Sequence, residues 1–311
     1  MKDAKIIITG GAGFIGSNLT RELTKISNNI IVIDDLSTGN YHNIKNLIET
    51  KKIKFYKESI TNLKFLKKTF KDIDYVFHQA AIPSVPRSIK DPIKTNNANI
   101  NGTLNVLIAA KENNVKKVVY ASSSSAYGNT PKLPKKESMN TNPLSPYAVS
   151  KLTGEQYCKA FTEVFDLPTV SLRYFNVYGP RQNPENQYAA VIPKFILSVL
   201  NGKKPVIYGD GKQTRDFTFV KDVVNANILS AKSNVSDFFN VGSGNNITIN
   251  KLAELIMNLL NKKTGVSHID PVPGDVRDSL ADISKANKKI GYKPKYNLEK
   301  GLKETIKWIQ K

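Results

Sequence analysis

The sequence predicts an α/β chain: a doubly wound parallel sheet with a smaller α/β cap formed mainly by its C-terminal part. Three observations predict it. Over about the first 170 residues, short β-branched runs alternate with stretches of helical apolar spacing. A glycine-rich turn, Gly10-Gly11-Ala12-Gly13-Phe14-Ile15-Gly16, separates the first such run from the first helix. An acidic pair, Asp34-Asp35, ends the second run.

Lys5–Thr9 reads as the first strand and Phe14–Lys25 as the helix after the turn. Ile30–Ile33, Ile53–Tyr56, Tyr75–His78 and Lys117–Ser122 are the next strands, and Thr169–Arg173 another. Leu63–Phe70, Asn96–Asn113 and Tyr147–Phe165 supply helices between them. After Arg173 the rhythm breaks into a Gly/Pro/Asn-rich loop, Asn176–Gln187, and a helix, Ala190–Asn201. Val206–Asp216 holds a short strand and a Gly-Asp-Gly turn, Val220–Lys232 a helix and Phe239–Val241 a strand. The tail carries amphipathic stretches around Leu252–Leu260 and Leu298–Ile309. Without a repeat or a linker, the division expected is residues 1–172 with 217–242 as one domain, and 173–216 with 243–311 as the other.

Of 311 residues, 40% are hydrophobic and 23% charged, ordinary for a globular protein, and no apolar run reaches the ~18 residues that span a bilayer. Cys158 is the single cysteine and no presequence is visible, so a cytoplasmic protein without disulfides is expected. The formal charge is +20, yet only six of the 46 basic residues are arginine and the lysines are scattered. That argues against a nucleic-acid or membrane partner, and for a mild field that favours anionic nucleotides. His42, His78 and His268 have no metal spacing; no metal is expected. Trp308 and Cys158 read as packing residues.

A glycine turn between strand and helix lets backbone approach a pyrophosphate at the helix N-terminus, the mark of a Rossmann-type dinucleotide site. Asp34 would accept bonds from ribose hydroxyls and repel a 2′-phosphate, so NAD is expected rather than NADP. Tyr147-Ala148-Val149-Ser150-Lys151 puts a phenol and an ammonium four apart on one helix face. The ammonium is expected to stabilise the phenolate, making Tyr147 a base. The run Ser122-Ser123-Ser124-Ser125 ends a strand where parallel sheets bind ligands, and a hydroxyl there could bond a reacting oxygen.

With Asp34–Gly39, His78–Ala81, Arg173–Pro180 and Gly209–Asp222, these stretches resemble the extended short-chain dehydrogenase/reductase family in order and spacing over nearly the whole chain. Within it the chain resembles the UDP-sugar 4-epimerases. The related dehydratases carry Thr-Asp-Glu, and the UDP-glucuronate decarboxylases a Glu, in the stretch where this chain has Ser123-Ser124-Ser125. The resemblance implies 4-epimerisation of a UDP-hexose, a tightly held NAD, a homodimer, and Ser123, Tyr147 and Lys151 as catalytic residues. It implies NAD contacts from Gly10, Gly13, Phe14, Ile15, Gly16, Asp34, Asp35, Ser37, Thr38, Gly39, Ser59, Ile60, Gln79, Ala80, Ala81 and Asn99 as well. UDP-sugar contacts would come from Ser84, Ser123, Ser124, Asn176, Ala190, Val191, Val206, Tyr208, Arg215, Arg277 and Ser279. Ser279 stands where a tyrosine would close the sugar pocket, so N-acetylhexosamines are expected to be accepted as well as glucose and galactose. Two positions depart from the family: Val272 replaces a diphosphate-binding Arg, and Ser59 replaces an Asp that accepts the adenine amino group. The competing readings are another UDP-sugar enzyme, such as a UDP-glucuronate 4-epimerase or a 4-ketoreductase, and a non-catalytic dinucleotide-binding regulator.

Overall fold

Seven parallel strands form one sheet in the spatial order Asp237–Val241, β6, β5, β4, β1, β2, β3. In chain order β1 is Ile6–Thr9, β2 Ile30–Ile33, β3 Lys54–Tyr56, β4 Tyr75–His78, β5 Lys117–Ser123 and β6 Thr169–Tyr174. The structure, a computed structural model, describes residues 1–184, 190–271 and 277–311. Val272, singled out in the sequence, lies outside the described residues.

The strands are apolar on both faces because helices cover both. Ile6, Ile8, Val32, Val119 and Leu172 pack to one side. Ile7, Ile33, Val76, Val118 and Tyr120 pack to the other. Alternation along a strand divides them in this way, and each fully buried side chain contributes roughly 1.5–3 kcal/mol. A third apolar cluster, around Phe195, Ile196, Phe219, Leu252 and Leu302, lies beneath the helices Val191–Leu200, Ile249–Leu259 and Leu298–Ile309. Three two-stranded sheets edge it: Val177–Tyr178 with Thr218–Phe219, Thr214–Arg215 with Ile247–Thr248, and Val206–Tyr208 with Ser267–Ile269.

The order of strands reverses between β1 and β4, which opens a crevice at their carboxyl ends. Helix α1, Phe14–Leu23, starts there, and the helix Pro146–Phe165 lies against β5 and β6. Ser145 caps that second helix by accepting from the Ala148 N–H at 3.1 Å, and Asp166, in left-handed conformation at φ 54°, ends it.

Several elements differ from the sequence expectation. The Asn96–Asn113 stretch is three pieces: a short helix Pro92–Asn96, a π-helical turn Asn97–Asn101, and a helix Gly102–Glu112. Asp91 caps the first piece at the Lys94 N–H, and Pro92 initiates it where a proline suggests a break. Val85–Lys90, Lys45–Glu49 and Ser284–Ile290 are helices of five to seven residues, too short to display an amphipathic period.

Candidate active site

A cavity of about 810 Å³ runs along the crevice, from the Asp34–Asn43 loop, past the glycine turn, to Tyr147 and Lys151. Gly10 has φ +69°, and a Cβ there would overlap the Ala80 backbone; one at Gly16 would overlap the Gly10 carbonyl. Gly13 is the N-cap of α1 and brings no side-chain acceptor, so the first-turn N–H groups stay available to a ligand anion. At the other side of the turn the buried Asp34 carboxylate accepts from the Ala12 N–H (2.9 Å) and the Leu36 N–H (2.9 Å). Burial raises its pKa against those bonds. A carboxylate has about four acceptor positions, so two remain for hydroxyls.

These features fit a dinucleotide: acceptors for a ribose diol at one end, a backbone cradle for a pyrophosphate in the middle, and a phenol beside an ammonium at the far end. Every residue expected to touch NAD lines this cavity except Asn99. Asn99 is buried behind the wall, where its Oδ1 accepts from the Ile82 N–H (2.7 Å) and its Nδ2 donates to the Ile82 carbonyl and the Ser150 hydroxyl. Its amide is engaged by the loop after β4 and by the Pro146–Phe165 helix, and Ala98 of the same turn lines the cavity. Ser59 lines the adenine end with its hydroxyl bonded to that of Thr61 at 2.9 Å.

At the reactive end, the helix start carrying Tyr147 is fixed by the buried Ser88, whose Oγ accepts from the Tyr147 N–H at 3.0 Å. The Tyr147 phenol is raised by burial and pulled back by a hydrogen bond with Ser123. The Ser123 oxygen already accepts from the Ser125 N–H (3.2 Å) and the Ser125 hydroxyl (2.9 Å), which leaves its own proton to donate to the phenol. Lys151 is turned toward the end of β5. Its Nζ donates to the Ala121 carbonyl (2.8 Å) and lies 5.1 Å over the Tyr120 ring. Burial pushes its pKa down to about 7. In this arrangement the phenol is supported by Ser123, and the ammonium gives one of its three donors to the end of β5. Of the serine run only Ser122 lines the large cavity; Ser123 stands off both cavity walls, behind the Tyr147 phenol, and Ser124, at the start of the 3₁₀ turn Ser124–Tyr127, is off both walls as well.

A second cavity, of about 290 Å³, meets the first at Ala190. Asn176, Val191, Val206, Tyr208 and Arg215 line it, as expected of a nucleotide-sugar pocket, together with Gln213, Phe217 and Ile249, which the sequence did not single out. Ser84 lines the larger cavity instead. Ser279 and Arg277 stand outside both walls. The Ser279 hydroxyl accepts from Asn176 Nδ2 at 3.0 Å, directly behind the wall. Arg277 is exposed and paired with Asp210 at 3.1 Å, while its carbonyl accepts from Arg215. Trp308, read from the sequence as packing, faces the large cavity, as do Arg181 and Gln182.

Residues 6–242 match the NAD dependent epimerase/dehydratase family. The UDP-glucose 4-epimerase of Mycolicibacterium smegmatis is 35% identical over 310 residues, 98% of either chain. Among solved structures, the UDP-N-acetylglucosamine 4-epimerase of Methanobrevibacter ruminantium M1, in complex with UDP-N-acetylmuramic acid, superposes with a TM-score of 0.96 at 47% identity, covering 100% of this chain and 99% of that one. The UDP-glucose 4-epimerase of Thermotoga maritima with UDP-glucose gives 0.94 at 36% identity over 98% of each chain.

Proposed function

The chain belongs to the NAD dependent epimerase/dehydratase family, and from that premise we infer that it inverts C4 of a UDP-hexose, as an NAD-dependent UDP-sugar 4-epimerase acting by transient oxidation. The observation that carries the reading is the phenol of Tyr147, hydrogen-bonded to Ser123 at the end of a dinucleotide-shaped cavity that shares Ala190 with a second pocket. Gly10, Gly13, Phe14, Ile15 and Gly16 hold the cofactor pyrophosphate, Asp34 the adenosine ribose and Lys151 the nicotinamide ribose. NAD bound there supplies a hydride acceptor at C4 and a hydride donor to the opposite face. Tyr147 takes the proton from the sugar 4-hydroxyl and returns it to the same oxygen, while Ser123 donates a hydrogen bond to that oxygen as it becomes a carbonyl. Asn176 and Arg215 anchor the UDP, between Val206 and Tyr208, so that the sugar is free to turn over. Residues 1–172 with 217–242 carry the cofactor, and 173–216 with 243–311 the nucleotide-sugar.

The small Ser279, bonded to Asn176, supports a pocket that admits an N-acetyl group. A cytoplasmic homodimer completes the reading. Val149 and Val164 on the Pro146–Phe165 helix, and Ile89 and Ile93 on the helices packed against it, are exposed apolar side chains that a second copy could cover. No helix among the described residues is long and apolar enough to cross a membrane. Purified protein incubated without added NAD is expected to interconvert UDP-N-acetylglucosamine and its C4 epimer, and UDP-glucose and UDP-galactose, read by NMR of the products. Turnover of UDP-glucuronate alone would instead support the competing substrate.

A further inference from the structure

Arg181 is the one described arginine outside the sheet strands that reaches both the cofactor cavity and α1. Its backbone has φ 71°, an uncommon conformation for a long side chain. The guanidinium is turned inward, and one Nη donates to Asn18 Oδ1 at 2.5 Å. Asn18 Nδ2 donates in turn to the Pro180 carbonyl at 3.0 Å and to the Phe14 carbonyl at 2.9 Å. Asn18 thus clamps the arginine and its loop onto the first turn of α1.

The charge at this spot is incomplete. Arg181 Nε is buried without a hydrogen-bond partner, and so is Arg21 Nε one turn further along α1. Burial pushes the Arg181 pKa down to about 10, and the Arg21 charge adds to that. Arg181 has an amide oxygen as its partner where a buried guanidinium is ordinarily met by an anion. The positive end of α1 faces the same cavity. Arg181 and a helix N-terminus face this void, with the Arg21 charge close enough to act on Arg181 from behind the wall, and they call for a ligand with at least one negative charge between its two ends.

We propose that Arg181 closes the channel over the pyrophosphate of the bound dinucleotide, strapping it against α1 from outside the parallel sheet. Retention of the cofactor through the reaction then depends on a residue beyond the glycine turn and Asp34, and release requires the Pro180–Arg181 segment to lift from Asn18. The proposal rests on the NAD reading above.

The test compares the full chain with Arg181→Ala and with Arg181→Gln, which keeps an N–H donor for Asn18 without the charge. NAD carried through purification is released with acid and quantified, and NAD and adenosine affinities are measured by calorimetry on stripped protein. Both variants are expected to lose NAD affinity by roughly tenfold or more, the scale of one charge-assisted hydrogen bond, to copurify with little NAD, and to bind adenosine as the parent does. The loss should shrink in high salt. Unchanged NAD affinity in either variant overturns the proposal, as does an equal loss of adenosine. If the parent itself binds no NAD, the reading of the whole cavity fails; if the parent binds and the variants match it, only the role of Arg181 fails.

Discussion

Two buried cations, Lys151 on the helix Pro146–Phe165 and Arg173 on β6, lie along one stripe of that helix and are treated oppositely. Tyr147, Lys151 and Glu155 recur at intervals of four and so share a face. At the cavity end, Lys151 has a carbonyl for a partner and holds its proton weakly, with a pKa pushed down to about 7 by burial. One turn deeper, Glu155 meets Arg173 through two bonds, of 2.5 and 2.9 Å, with both side chains 2% exposed. Ser122 donates to the same carboxylate at 2.9 Å, and the guanidinium lies 4.7 Å from the Tyr127 ring and 4.5 Å from that of Phe238. Burial alone would lower the Arg173 pKa, but the bonds and charge of Glu155 outweigh it and the net shift is upward. The deep end fixes charge; the shallow end keeps charge adjustable beside a phenol. A reactive group needs the second arrangement, and β5, which contributes Ser122 to one end and Ser123 to the other, needs the first to hold still.

The largest effect expected from breaking this contrast is on rate. Tyr147→Phe removes the group that takes the proton of the sugar 4-hydroxyl and should lower kcat by about a thousandfold, with the thermal midpoint close to the parent's. A variant that turns over UDP-N-acetylglucosamine undiminished would falsify the mechanism. Glu155→Gln acts on the other end. It leaves Arg173 buried without a counter-charge and should destabilise the fold by about 3 kcal/mol, read as a lower urea midpoint at unchanged slope. A loss under about 1 kcal/mol would mean that the pair is dispensable.

Lys151 sharpens the comparison through pH. Folded, its pKa is about 7; unfolded, it is about 10.4. Between those values the unfolded chain binds the extra proton, so stability rises with pH, and below about 7 both states are protonated and the slope vanishes. The contribution approaches about 1.4 kcal/mol per pH unit within the window. NAD-free protein unfolded in urea at pH 7, 8 and 9 should show that rise, and Lys151→Met should flatten it. Equal slopes in the two proteins would show that the ammonium is not held at a cost.

How far such features were legible follows from how they are assembled. The glycine turn, Asp34 and the Tyr147–Lys151 spacing each lie within a short window on one strand–turn–helix unit, so residue type and spacing expose them. The small cavity draws Asn176, Val206 and Arg215 from a loop and two short strands far apart in the chain, with Ser279 behind it, and no local pattern joins them; only the family resemblance did. Trp308 shows an amphipathic helix whose polar-side edge happens to border the cavity, which periodicity reads as packing. Asn99 shows the reverse, a polar residue whose amide is engaged behind the wall by Ile82 and Ser150, distant in sequence. The Glu155–Arg173 pair left no trace in the sequence beyond the interval of four from Lys151, because an acid on a helix and a base on a strand ordinarily face water.

The smallest effect tests whether the deep end acts as one unit. Ser122→Ala removes one of three bonds to the Glu155 carboxylate while leaving the two from Arg173, so its cost should be about 1 kcal/mol. Made on the Glu155→Gln background, the same change should cost less, because the charge that strengthened the hydroxyl bond is gone. The coupling in the double-mutant cycle should therefore be about 0.5–1 kcal/mol. Strict additivity would mean that Ser122 contributes through packing at the end of β5, and that the carboxylate does not transmit the position of Arg173 to the strand that carries Ser123.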